Sequence, residues 1–258
     1  MSLVPPQNAA FQRPENCNPN PRLSRLGTRV RRMNRISVRL STDARAAELF
    51  APKPFGSIGA ATLSVPKRAF DIVASIAAIV GLFPLFLVVA LGVKVTSRGP
   101  ILFRQVRTGL NGAPFVIFKF RTMTVQEHGN SVVQARKYDH RLTAIGHFLR
   151  TSSLDELPQF FNVLTGDMSI VGPRPHAIAH DMHYGGMLPI YCERFRVRPG
   201  ITGLAQCNGA RGPTETLDKM RRRIRLDLAY VERWSWMMEA KIIVKTIKVL
   251  IAGDEKAF

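Results

Sequence analysis

The sequence predicts an α+β fold, mostly helical, in which a re-entrant membrane helix-break-helix hairpin is attached to a cytoplasmic domain with a small sheet and interfacial amphipathic helices. Three observations predict it. An uncharged run of 22 residues stretches from Ile72 to Val93 with a proline near its centre. Basic residues flank that run on both sides. Beyond about residue 100, short strand-like and longer helix-like patterns alternate with glycine- and proline-rich turns.

Residues 1–65 form the first block. Pro5, Pro6, Pro14, Pro19 and Pro21 interrupt its start, and Arg22, Arg25, Arg29, Arg31, Arg32, Arg35 and Arg39 follow. With little apolar periodicity, the segment buries too little surface to offset the entropy of ordering it. The expectation is a disordered basic tail that lies on anionic lipid.

Residues 66–98 form the second block. A run of 22 residues spans about 33 Å as a straight helix, enough for the hydrocarbon core. It begins too late and runs too long for a cleaved signal peptide. Pro84 removes a backbone donor and clashes with the preceding turn, so the helix breaks there, aided by Gly81. Lys67 and Arg68 precede the run, and Lys94, Arg98, Arg104 and Arg107 follow it. Basic flanks belong in the cytoplasm. A single crossing satisfies that at only one end, whereas a hairpin that enters, breaks at Pro84 and returns satisfies it at both.

Residues 99–258 read as the folded domain. Ile101–Phe103 and Phe115–Phe118 are expected strands joined by a turn at Gly109, Asn111 and Gly112. Leu142–Leu149, Leu157–Leu164 and Leu217–Arg233 are expected helices, the last on the spacing of Leu217, Met220, Ile224, Leu228 and Val231. Ala240–Ile251 is amphipathic, with Lys241, Lys245 and Lys248 on one face. It suits either a membrane interface or packing on the domain. Cys17, Cys192 and Cys207 lack metal-type spacing and read as free thiols of a reducing compartment. His176, His180 and His183 share a helical spacing; a polar helix face and a zinc site are the two readings.

The chain carries 37 Lys and Arg against 18 Asp and Glu, a net charge of +19. Such a chain seeks anions: nucleic acid, lipid headgroups or phosphorylated substrates. No nucleic-acid motif accompanies the charge. The most informative stretch runs from Arg150 to Gln159 and contains the adjacent acids Asp155 and Glu156. Ser153 followed by Glu156 matches a capping box. With Asp155 as the N-cap instead, Pro158 falls in the tolerated first turn and Asp155 sits at a phosphate-ready helix start. Lys119 and Arg121 in KFRTM, Arg174 and Pro175 in GPRP, and Arg211 between glycines add cations and exposed backbone N–H groups suited to phosphate.

These pieces resemble the monotopic bacterial phosphoglycosyl transferases, the bacterial sugar transferase family. Lys67-Arg68 with Asp71, the Pro84 break, KFRTM, TSSLDELPQFFNVLTGDMSIVGPRP, RPGITGLAQ and the late Tyr230-Val-Glu-Arg-Trp234-Ser235 carry the resemblance, from about residue 66 to 250. GPRPHAIAH and NGARGPTET look most like the exopolysaccharide-initiating undecaprenyl-phosphate hexose phosphotransferase branch. Two positions depart from the family pattern: Phe83 stands where serine often precedes the proline, and Leu204 where tryptophan is usual.

The resemblance implies transfer of a hexose 1-phosphate, glucose favoured, from a UDP-sugar to polyprenyl (undecaprenyl) phosphate with release of UMP. Asp155 is implied as the nucleophile of a covalent phosphosugar intermediate. Glu156 is implied as the Mg²⁺ partner. Lys119, Arg121, Arg150, Arg174, Pro175 and Arg211 are implied in substrate binding. The implied partners are the UDP-sugar, polyprenyl phosphate and membrane lipid, without nucleic acid; membrane packing is compatible with a homodimer. The implied location is the bacterial inner membrane with the catalytic domain facing the cytoplasm. UDP-galactose or an N-acetylhexosamine donor remains the alternative within this chemistry. A non-catalytic, membrane-tethered anion-binding protein remains the alternative outside it.

Overall fold

The structure, a computed structural model, describes residues 57–124, 139–214 and 216–252. Most of the expected basic tail lies outside these residues. Its last stretch lies inside and is ordered: helix α1, Ala60–Leu63, places Ala61 in a core cluster with Val171, Val197, Tyr230 and Val231.

The apolar run forms two helices, α2 (Val65–Gly81) and α3 (Phe83–Thr96), bent by 64°. Among the described residues no single helix is long and apolar enough to cross a membrane. The break falls at Leu82, two residues before Pro84. The proline thereby occupies the first turn of α3, where a missing N–H costs nothing.

α2 is amphipathic with its polar side inward. Lys67, Asp71 and Ser75, one turn apart, are its buried residues, while Val73, Ile76 and Val80 are exposed. Lys67 Nζ donates to Asp71 Oδ1 at 2.7 Å and also pairs with Glu239. Asp71 accepts in turn from Ser169 Oγ at 2.8 Å and from the Ile170 N–H at 3.1 Å.

The domain holds two small two-stranded sheets among the described residues. Strands β1 (Leu102–Thr108) and β2 (Pro114–Phe120) are antiparallel, with Leu102 opposite Phe120 and Thr108 opposite Pro114. Strands β3 (Ser169–Val171) and β4 (Gly200–Thr202) are parallel. Helix α4 spans Gly146–Thr151, α5 Gln159–Thr165, α6 Ile178–Met187 and α7 Leu204–Cys207. The long helices α8 (Leu217–Arg233) and α9 (Trp236–Ala252) follow. The β3–β4 approach leaves no room for side chains at its crossing. A Cβ on Gly200 would lie 2.0 Å from the Gly172 nitrogen.

α5 is anchored at its middle and at its C-terminus. Asn162 bridges to the β2 edge, accepting from the Phe118 N–H at 3.0 Å and donating to the Val116 carbonyl at 2.7 Å. Arg68 donates to the carbonyls of Val163 and Leu164 at 2.7 and 3.0 Å, satisfying groups that a helix C-terminus leaves open. α9 packs Glu239 and Ile242 inward and exposes Val244, Ile247 and Ile251, so both expected uses of this helix are available to it. The expectation of free thiols holds for Cys207, which is buried, and fails for Cys192, which is disulfide-bonded.

Replacing Lys67 with Met leaves Asp71 and Glu239 buried without their cation. Breaking a buried pair in this way costs about 3–5 kcal/mol. Thermal and chemical unfolding of Lys67→Met in detergent should show that loss; a wild-type midpoint would remove this junction from the stability of the fold.

Candidate active site

The two acids sit in neither cap predicted for them. Leu154–Glu156 is a single 3-10 turn, entered through Ser153 in the left-handed region at φ 59°, and Ser153 makes no side-chain capping bond. α5 begins only at Gln159, after Pro158. A non-glycine residue with positive φ stores backbone strain, and such strain gathers at functional sites. Here it turns the chain so that both carboxylates point inward, where both are buried.

Glu156 lies in a cage of cations. Arg174 grips it with both terminal nitrogens, Nη2 to Oε1 at 2.7 Å and Nη1 to Oε2 at 3.3 Å. Lys119 Nζ donates to Oε1 at 2.7 Å, and Arg211 Nη2 stands 3.8 Å from Oε2. Burial alone would raise its pKa, but Arg174, Lys119 and Arg211 outweigh burial and hold Glu156 well below the usual carboxylate range. Asp155 has a weaker share of the same field, with Lys119 at 3.9 Å from Oδ2. Burial therefore wins at Asp155 and raises it, against the opposing charges of Lys119, Arg150 and Arg211, with the charge of Glu156 adding to the rise. Two neighbouring carboxylates are thus driven in opposite directions.

Five of the residues predicted for this site converge beside Asp155. Lys119 comes from the end of β2, Arg150 from the last turn of α4, Glu156 from the 3-10 turn, Arg174 from the turn after β3 and Arg211 from the loop after α7. Pro175 follows Arg174 and shares a small cavity with it, Thr108 and Arg194. Arg121 does not join them. Its guanidinium turns toward the C-terminus of α3 and donates to the carbonyls of Arg98 at 2.6 Å and Ser97 at 2.8 Å. β2 ends at Phe120, so the strand alternation that would point Arg121 the same way as Lys119 no longer applies.

The histidines do not form a metal centre. His176 precedes α6 and is buried against Tyr191, at 2.6 Å, and Arg194, at 2.7 Å. His183 packs its ring against Tyr184. Among the described residues no group of three His, Cys, Asp or Glu is placed to hold a metal ion. The carboxylates of Asp155 and Glu156 are oxygen donors of the kind a divalent cation takes together with substrate phosphate and water.

Sequence reasoning missed Arg194, Arg223 and Asp227, all buried. The signal was present on α8. Arg223 and Asp227 lie one turn apart on the same face as Met220, Ile224 and Val231. Charges on a buried stripe require partners.

A sequence profile described as bacterial sugar transferase matches residues 62–253. A protein of Caulobacter vibrioides named UDP-glucose:undecaprenyl-phosphate glucose-1-phosphate transferase is 48% identical over 210 residues, covering 81% of this chain and 78% of that protein. A Klebsiella pneumoniae protein of the same name is 53% identical over 181 residues, covering 70% of this chain and 39% of its own length. The chain therefore spans about two-fifths of that longer relative. The Rhizobium leguminosarum exopolysaccharide production protein PSS is 49% identical over 189 residues, covering 71% of this chain and 94% of that protein.

Lys119 is the largest charge opposing the raised pKa of Asp155. Lys119→Gln should move the Asp155 carboxyl titration to still higher pH, so that its ionised form is lost earlier as pH falls. Carbon-13 NMR of the carboxyl, assigned with Asp155→Asn, reads this directly. An unmoved titration would mean that the ammonium does not reach Asp155.

Proposed function

The chain belongs to the bacterial sugar transferase family, and from that premise we propose that it transfers glucose 1-phosphate from UDP-glucose to undecaprenyl phosphate, releasing UMP. The observation that carries the reading is the charge count at the site. Lys119, Arg150, Arg174 and Arg211 converge on only two carboxylates. The excess of two positive charges matches the two negative charges of a nucleotide diphosphate diester, and paired arginine nitrogens suit its oxygens.

Within that setting the two acids divide the work. Asp155 is the nucleophile. Its oxygen attacks the sugar-bearing phosphorus, and the bridging bond to that phosphorus breaks with its electron pair leaving on UMP. An oxygen of undecaprenyl phosphate then attacks the same phosphorus and expels the Asp155 carboxylate, leaving a lipid diphosphate sugar. Burial raises the basicity of Asp155, which favours attack by a group needing no separate base once ionised. Glu156, held ionised by its cations, orients Lys119 and Arg174 toward the phosphoryl oxygens. Mg²⁺, for which Glu156 is the expected protein ligand beside the donor's phosphates, would neutralise charge on the leaving group.

The membrane reading rests on three features. Basic residues flank both ends of the α2–α3 pair. The pair is sharply bent. Its outer surface is apolar, with Val73, Val80, Phe83, Leu87, Val88 and Leu91 exposed. We read residues 66–98 as a re-entrant hairpin that holds the catalytic domain, 99–258, at the cytoplasmic face of the bacterial inner membrane, where the lipid acceptor's phosphate resides. Initiation of exopolysaccharide synthesis fits this reaction, as the name of the Rhizobium relative suggests.

Radiolabelled UDP-glucose with undecaprenyl phosphate should give labelled lipid and UMP, and Asp155→Asn should abolish both products. UMP released at the wild-type rate by Asp155→Asn would remove Asp155 as the nucleophile. Single cysteines at positions 60 and 100 should be labelled from the same side of inverted vesicles; labelling from opposite sides would replace the hairpin with a crossing.

A further inference from the structure

The inner face of α8 carries Arg223 and Asp227, both buried, among Met220, Ile224 and Val231. Buried charges are tolerated when their hydrogen bonds are made, so the partners of these two groups state their purpose. Arg223 Nε donates to the Ala210 carbonyl at 2.8 Å, and Nη2 donates to the Gly212 carbonyl. Those carbonyls flank Arg211, whose own Nη1 donates to Ser153 Oγ at 2.9 Å and whose Nη2 faces Glu156. Asp227 accepts from Arg194 Nη2 at 2.9 Å, and the same nitrogen donates to the Arg174 carbonyl at 2.5 Å. Arg174 is therefore held at its own carbonyl by Arg194, and Arg211 is held at the carbonyls on either side of it by Arg223. His176 stands between the two supports, with Nδ1 2.7 Å from Arg194 and Nε2 3.3 Å from Arg223.

We propose that Arg223 and Asp227 are positioning residues for phosphosugar transfer. Arg223 acts through Arg211, and Asp227, by way of Arg194, acts through Arg174. The proposal rests on the reading that Arg211 and Arg174 contact the donor. The loop at 208–212 and the turn at 172–176 lie outside helices and strands; main-chain bonds tie down their starts, at Gly172, Pro173 and Ala210, and Arg194 and Arg223 take the carbonyls further along, those of Arg174, Ala210 and Gly212. A displacement of about 1 Å in a phosphate-binding arginine is enough to cost about a hundredfold in transfer.

A double-mutant cycle tests this on the full chain in detergent, with kcat and KM for UDP-glucose and the thermal midpoint measured for each variant. Arg211→Ala and Arg223→Gln should each raise KM about tenfold to a hundredfold. Arg223→Gln added to Arg211→Ala should raise it little further, because the group it positions is already gone. The cycle of Arg174→Ala with Asp227→Asn should behave in the same way. Losses that multiply across both cycles would overturn the proposal, as would a lowered midpoint with KM unmoved. If Arg223→Gln does not fold, Arg223→Lys enters the same cycle with the same expectation. An Arg211→Ala variant of wild-type KM would sink the donor-contact reading as well, an outcome separate from multiplying losses.

Discussion

The buried junction at Lys67 is the constraint on which the rest of the structure depends. On the membrane reading proposed above, the outer face of α2 would meet lipid, and hydrophobic burial would not choose its orientation, because lipid accepts apolar side chains as readily as the protein does. The inward stripe of Lys67, Asp71 and Ser75 makes that choice instead. Asp71 reaches β3 through Ser169 and Ile170, and Lys67 reaches α9 through Glu239. Glu239 also accepts from Tyr230 at 3.1 Å and Trp234 at 2.9 Å, which brings α8 into the same knot. The next residue, Arg68, grips the C-terminus of α5. α5 begins three residues after Glu156. The bent helix pair and the acids are thereby joined by one short helix, and the position of the site relative to the apolar surface of that pair is set by hydrogen bonds.

The acids themselves show how position outranks residue type. Asp155 and Glu156 are adjacent, both buried and share Lys119 and Arg211, yet their pKa values are pushed in opposite directions. The difference is distance. Lys119 is 2.7 Å from Glu156 and 3.9 Å from Asp155, and Arg174 takes Glu156 in a two-pronged grip. Paired atoms at hydrogen-bond distance overcome the cost of desolvation, whereas a charge about an ångström further away does not. The strained Ser153 produces the asymmetry by starting a 3-10 turn there rather than a helix.

Much of this was legible in the sequence where the cause is local. Pro84 dictates the break, and the spacing of Leu217, Met220, Ile224, Leu228 and Val231 marks α8 to the residue. The Asp155–Glu156 pair and four of its surrounding cations were also identifiable, because residue type and motif carry them. The capping expectations failed at Ser153, where a left-handed backbone is imposed by tertiary contacts, including the bond from Arg211 across 58 residues. The contacts of Arg121 were not legible, because its partners, Ser97 and Arg98, belong to the end of another helix. β3 and β4, three residues each and paired Ser169 with Gly200 and Val171 with Thr202, are too short for any period to register.

The basic composition changes meaning once partners are known. A net charge of +19 reads, in sequence, as an appetite for anions. In the fold, Arg68, Arg121, Arg194, Arg198 and Arg223 each donate to main-chain carbonyls at helix ends and irregular turns. The guanidinium is suited to this because it stays charged, offers five donors in a rigid fork and is only weakly hydrated. These arginines brace the scaffold, and a smaller set, Arg150, Arg174 and Arg211 with Lys119, faces the acids. Cations that repel one another can be crowded around two carboxylates only if the backbones carrying them are fixed from behind, and in this chain the residues that fix them are arginines too.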